Sequence, residues 1–164
     1  MATEIERKFL VLNDSWRAQA APGMRYRQGY ISGSKNASVR VRIEGEVARL
    51  NIKSATLGVT RREYEYAIPL NDANEMLKDL CDGPLIDKLR YHVHHGKHLW
   101  EIDVFEGDNA GLVVAEIELG SEDETFMRPG WLGQEVSHDA RYYNVCLAQH
   151  PYKNWKGNVD GKNA

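Results

Sequence analysis

The sequence predicts an α+β fold: roughly eight antiparallel strands closed into a β-barrel, with helices packed outside. Three observations predict it. Most of the chain alternates polar and apolar residues with period two, the spacing of a strand. Short turns join the runs, as antiparallel neighbours allow, and closure into a barrel leaves no strand edge exposed. Helical spacing is confined to a few short segments.

The elements follow in order. "EIERKFLV" (4–11) sets Glu4, Glu6 and Lys8 against Ile5, Phe9 and Val11, with Arg7 among the latter. A short helical turn fits Ser15–Gln19. "MRYRQGYI" (24–31) places Tyr26, Gln28 and Tyr30 on one face. "SVRVRIEG" (38–45) and "VARLNIKS" (47–54) flank Gly45-Glu46, a tight hairpin turn. They set Arg40, Arg42 and Glu44, then Arg49, Asn51 and Lys53, against aliphatic residues. "TRREYEYAI" (60–68) carries Glu63 and Glu65 with Arg61 on one face. "NDANEMLKDLCDG" (71–83) is helical, with a capping box from Asp72 to Glu75 and a stop at Gly83-Pro84. "LIDKLRYHV" (85–93), "LWEIDVFE" (99–106) and "VVAEIELG" (113–120) present Lys88/Arg90, Glu101/Asp103 and Glu116/Glu118. A helical turn fits Ser121–Met127, and "RYYNVCLAQH" (141–150) is a second helix ended by Pro151.

A chain of 164 residues with 42% hydrophobic content supports one domain, residues 1–152, followed by a loosely ordered polar tail, 153–164. The net charge of −3 gives no reason to expect nucleic acid or an anionic membrane as partner. No apolar run reaches membrane-spanning length and the first residues are acidic, so a cytoplasmic location is expected. Cys81 and Cys146 lack metal-type spacing and are expected as small buried hydrophobes in the two helices, in a reducing setting.

Seven strands repeat one design: an apolar face and a face that is almost all charge. Arg40/Arg42, Glu63/Glu65, Lys88/Arg90 and Glu116/Glu118 are same-sign pairs, which repel unless a counter-charge lies between them. Two readings fit. The charged faces are the solvated outside of a one-sided sheet, or they line a wet, closed tunnel. In the tunnel, carboxylates hold Mg²⁺ or Mn²⁺ and the bases hold phosphate oxygens, which implies a compact oligophosphate substrate.

Glu4-x-Glu6-x-Lys8 near the start, the spacings of Lys53, Glu63/Glu65, Lys88/Arg90 and Glu116/Glu118, and "DARYYN" near the end together resemble the CYTH superfamily, the triphosphate tunnel metalloenzymes, over about residues 2–150. The resemblance implies an eight-stranded tunnel that hydrolyses triphosphates with divalent metal, and so an enzyme. It implies metal ligands among Glu4, Glu6, Glu63, Glu65, Asp103, Glu116 and Glu118, and phosphate-binding roles for Lys8, Arg40, Arg42, Lys53, Lys88 and Arg90. Lys8 matches the motif lysine, which also helps to position the attacking water, and Tyr30 matches a tyrosine that pairs with that lysine. Arg141 matches a base near one tunnel entrance, against a structural role at the C-terminal helix. Arg49 fits the tunnel mouth, and Glu44 and Glu101 its rim. Short bacterial members point to inorganic tripolyphosphate, with thiamine triphosphatase, adenylyl cyclase and a non-catalytic polyphosphate- or nucleotide-binding module as alternatives. The partner is then a small anionic substrate; the oligomeric state, a homodimer included, stays open. His92, His94, His95 and His98 read as a histidine-rich hairpin end rather than a zinc site, the four tryptophans as packing residues, and Arg61/Arg62 as a strand-end charge cluster.

Overall fold

The computed structural model of the chain describes residues 2–33, 36–55 and 58–155. Nine strands form one antiparallel sheet: β1 (Ala2–Val11), β2 (Met24–Gly33), β3 (Ala37–Glu44), β4 (Val47–Ser54), β5 (Thr60–Ile68), β6 (Asp82–His95), β7 (His98–Phe105), β8 (Val113–Glu118) and β9 (Leu132–Glu135). The order is β5-β4-β3-β2-β6-β7-β8-β1-β9, and β5 also pairs with β1. That last pairing, from Ala2↔Glu63 to Ile5↔Thr60, closes eight strands into a barrel. The far half of β1 carries β9 instead, through Phe9↔Glu135 and Val11↔Leu132. The β3–β4 turn forms at Gly45-Glu46, where Gly45 takes a φ of +61° that a Cβ would strain.

The alternation decides which face goes where. Outward-facing Val41, Ile43 and Ala48 are covered by Ala73 and Leu77 of helix α1 (Leu70–Asp79). Outward-facing Phe9, Trp100, Ile102 and Ile117 pack with Trp16 and Trp131 from the connecting segments and with Leu132 of β9. A third cluster lies at one end of the barrel. There the inward positions turn apolar, as Ile86, Phe105 and Val114, and pack against Tyr142, Leu147, Ala148, Tyr152 and Trp155. Helix α2 (Asn144–Gln149) therefore sits across a barrel end, whereas α1 lies outside.

Several local expectations are corrected. The α1 N-cap is Pro69, in an extended conformation with no side-chain cap bond. Asp72 lies in the first turn, where its charge suits the helix dipole, and no capping box forms. The helix ends at Asp79, and Gly83-Pro84 belong to β6. Cys81 thus falls between α1 and β6; Cys146 is in α2, and both are half-buried. Ser15–Gln19 forms a 3-10 helix that buries Trp16, but Ser121–Met127 forms only a bend and turn. Strand β9 was not expected. The segment after 152 is packed as far as Trp155, whose ring meets Tyr142 at 5.1 Å and Tyr152 at 4.9 Å. The rest of the expected tail, 156–164, lies outside the described residues. No described helix is long and apolar enough to cross a membrane.

Candidate active site

The charged faces point inward. They line a cavity of about 510 Å³ that runs along the barrel. Glu4, Glu6 and Lys8 reach it from β1, Tyr26 and Tyr30 from β2, and Arg40, Arg42 and Glu44 from β3. Arg49 and Lys53, then Arg61, Glu63 and Glu65, enter from β4 and β5, Arg90 from β6, Glu101 from β7, and Glu116 and Glu118 from β8. Tyr143, Asn144 and Val145 line it at the α2 end. The solvated-sheet reading is therefore excluded for these faces.

Among the described residues, two groups of carboxylates have ligand-type oxygens within 4.8 Å of one another: Glu4, Glu6 and Glu118, and Glu6, Glu101 and Glu116. Glu6 belongs to both. Burial, and then the neighbouring Glu116 carboxylate, push its carboxyl up to about 8. Burial with little relief from the Ile5 N–H, beside Glu4 and Glu63, lifts Glu118 to about 7. Burial would raise Glu116 too, but Lys8, Arg90 and Lys88 hold it well below the usual range. The donors are all oxygen and carry surplus negative charge, so the set fits a hard divalent cation.

The bases divide by what already holds them. Lys53 bridges Glu4 at 2.9 Å and Glu63 at 3.3 Å, and Arg61 reaches Glu4 at 3.5 Å. Arg49 pairs with Glu65 at 2.9 Å, and Asn51 Nδ2 donates to the other Glu65 oxygen at 2.7 Å. Arg42 Nε donates to Gln28 at 2.8 Å; burial, with Arg40 and Arg90 nearby, lowers its guanidinium to about 10. Arg40 differs: it is 6% exposed, lines the cavity, and its Nε has no hydrogen-bond partner.

The structure separates residues that the sequence grouped together. Lys88 and Asp103 are fully buried and do not line the cavity. Asp103 accepts from Lys88 Nζ at 2.7 Å and from Arg90 Nε and Nη2 at 2.7 and 2.9 Å, so its oxygens are committed to cations rather than free for a metal. Glu63 and Glu65 line the cavity, but among the described residues they belong to neither carboxylate group. Glu101, expected at the rim, belongs to one. Arg141 is no lining residue: it bonds Asp139, whose side chain caps its own 3-10 turn, and lies over Trp155 at 4.9 Å. Arg61, read as a strand-end charge, faces the cavity. Tyr30 accepts a hydrogen bond from Gln28 Nε2 at 3.4 Å, while the Lys8 ammonium donates to the Tyr142 carbonyl at 3.1 Å and lies 3.7 Å from Glu116. The expected Lys8–Tyr30 pair is thus replaced. Of the histidines, His92 bonds Glu101 at 3.3 Å and His98 bonds Glu124 at 2.6 Å; no histidine joins a metal-type cluster among the described residues.

A closed antiparallel barrel with one apolar, helix-covered end and an interior of interleaved acids and bases defines a tunnel protein built for multiply charged ligands. The CYTH domain matches residues 2–146, and the chain belongs to that family. It is 48% identical over 156 residues to an inorganic triphosphatase of Acetivibrio thermocellus, covering 95% of this chain and 99% of the relative. It is 38% identical over 154 residues to an inorganic triphosphatase of Nitrosomonas europaea, covering 89% and 97%. Among solved structures it resembles one described as an inorganic triphosphatase, with a TM-score of 0.64 and 33% identity over 88% of this chain and 96% of the other. A Pyrococcus horikoshii protein shares the fold alone, with a TM-score of 0.59 at 18% identity over 73% of this chain and 80% of that one.

Proposed function

We propose that the protein is a divalent-metal-dependent triphosphatase that hydrolyses inorganic tripolyphosphate inside the tunnel. The observation that carries this reading is that one cavity holds both a carboxylate pair of triads and a surplus guanidinium, Arg40. Simple anion binding needs only the bases. The two relatives named inorganic triphosphatase support the same substrate.

Each residue then has a task. Arg40, Arg42, Arg61, Arg90 and Lys53 bind phosphate oxygens, and the guanidinium forks fix the orientation of the chain. Glu4, Glu6 and Glu118, with Glu101 and Glu116, would hold Mg²⁺ or Mn²⁺, which would supply neutralisation of phosphate charge and activation of water. Lys8, held between Glu116 and the Tyr142 carbonyl, orients the attacking water and the terminal phosphoryl group. Tyr30, on β2, offers a hydroxyl from the opposite wall. In the reaction a water oxygen bonds the terminal phosphorus and sheds a proton to solvent or to a product oxygen, the bridging P–O bond breaks, and pyrophosphate leaves with that electron pair. Positioning and charge neutralisation supply the acceleration.

A phosphate-release assay with tripolyphosphate, ATP and thiamine triphosphate, each with Mg²⁺ and with Mn²⁺, tests the reading. Highest kcat/KM on tripolyphosphate is expected. Preference for either organic triphosphate would move the assignment to thiamine triphosphatase or a nucleotide enzyme, and binding without release would make the protein a polyphosphate-binding module.

A further inference from the structure

The Lys8 peptide is gripped from outside the tunnel. Its N–H donates to Ser137 Oγ at 2.9 Å, and its C=O accepts from the Val136 N–H at 2.8 Å. Ser137 is 4% exposed and gives its own proton to Glu135 Oε2 at 2.6 Å. With that proton committed, the Ser137 oxygen can only accept from Lys8. Glu135 is fixed in turn by Arg7, on the outward face of β1, which donates to both carboxylate oxygens at 2.6 and 2.9 Å. The Arg7 bonds hold the Glu135 carboxyl below its ordinary range, so it remains an acceptor. The same segment anchors what the Lys8 side chain touches: Tyr143 donates its hydroxyl proton to the Ser137 carbonyl at 2.8 Å, and the adjacent Tyr142 carbonyl takes the Lys8 ammonium.

We infer that Arg7, Glu135 and Ser137 form a chain of positioning residues that runs from the outer surface through the barrel wall and sets the place of Lys8 in the tunnel. None of the three reaches the carboxylate triads, so the chain acts on Lys8 and leaves the metal and the phosphate-binding arginines untouched. The sequence contains part of the arrangement in a readable form, an inward Lys8 beside an outward Arg7, but Glu135 comes from the end of the short β9 strand and Ser137 from just after it, far along the chain. Ser137 bonds Lys8 across 129 positions, which no local pattern shows.

The inference rests on the role given to Lys8 above, and the test separates the two. Steady-state hydrolysis of tripolyphosphate is measured for the Ser137→Ala, Ser137→Thr, Glu135→Ala and Lys8→Ala variants, with exchange of the Lys8 amide followed by NMR. Ser137→Ala is expected to lower kcat by about tenfold or more with KM within about twofold, because misplacing a reacting group costs rate rather than ground-state binding. Ser137→Thr, which keeps the hydroxyl, is expected to recover kcat to within about threefold, and the Lys8 amide to exchange faster in Ser137→Ala alone. Glu135→Ala, which frees the hydroxyl, should fall between. Should Ser137→Ala not fold, Glu135→Ala decides by the same kcat and KM criterion. Wild-type kcat in Ser137→Ala beside an inactive Lys8→Ala overturns the inference and spares the role of Lys8. A loss that Ser137→Thr does not restore also overturns it. Turnover retained in Lys8→Ala overturns the reading of Lys8 itself and the inference with it.

Discussion

Lys88 and Asp103 form an ion pair of 2.7 Å with neither side chain reached by solvent. Both stand on the face that the sequence marks as tunnel lining, yet they serve the wall. Removing one charge from a buried pair leaves the other uncompensated, so Asp103→Asn is expected to destabilise the fold by roughly 3–5 kcal/mol. Urea unfolding at neutral pH measures it.

The same carboxyl gives a pH signature. Burial would raise Asp103, but Arg90 and Lys88 hold it at about 2. A folded value below the unfolded one adds stability that is present above the ordinary carboxylate range and lost as pH falls from about 4 through 2. The amount is on the order of 2–3 kcal/mol. Thermal melts of the wild type should decline steeply over that window, and those of Asp103→Asn should be flatter there.

Glu6 behaves in the opposite sense. Its carboxyl is raised to about 8, so the cation-free protein loses stability as pH rises from the ordinary carboxylate value through 8. A cation bound by Glu6 expels the proton. Mg²⁺ affinity is expected to rise between pH 6 and 8 and then level off, with about one proton released near pH 7. Calorimetry in buffers of different ionisation enthalpy reads that proton, and Glu6→Gln should reduce its release to the part that Glu118, raised to about 7, gives up.

Arg40 is the base with an unpartnered, buried Nε. Charged hydrogen bonds are worth about 1.5–3 kcal/mol, so Arg40→Ala is expected to raise KM for tripolyphosphate by about 10–100-fold. Its removal also relieves repulsion on Arg42, so the melting temperature should hold or increase. A marked drop in melting temperature would assign Arg40 to the wall instead.

Arg141 is half exposed and bonds its own turn through Asp139. Arg141→Ala is expected to leave kcat and KM within about twofold and stability within about 0.5 kcal/mol. A larger KM effect would restore it to a tunnel entrance.

The barrel was legible because period two survives in its eight closing strands, from Glu4-x-Glu6-x-Lys8 to Glu116-x-Glu118. What local pattern could not show is commitment. Asp103 and Glu101 sit two residues apart on one face, yet only the second is free of a buried lysine, because Arg90 stands opposite Asp103 and Lys88 reaches it diagonally, whereas His92 stands opposite Glu101. Strand β9 escaped notice since LGQE is four residues without alternation. The blind end was partly written in the chain: Ile86 and Phe105 continue the faces of Lys88 and Asp103 in apolar residues. That α2 meets them there depends on long-range packing, as does the exchange of Tyr30 for the Tyr142 carbonyl as the Lys8 partner.

The central claim, that this tunnel hydrolyses tripolyphosphate with a divalent ion held by its carboxylates, is tested most directly by phosphate release during Mg²⁺ titration of the wild type and of Glu116→Gln. The account predicts saturable, metal-dependent release that chelator abolishes, and loss of turnover in a Glu116→Gln protein that melts as a folded domain. Release that persists under chelator, or an equally active Glu116→Gln, would contradict it.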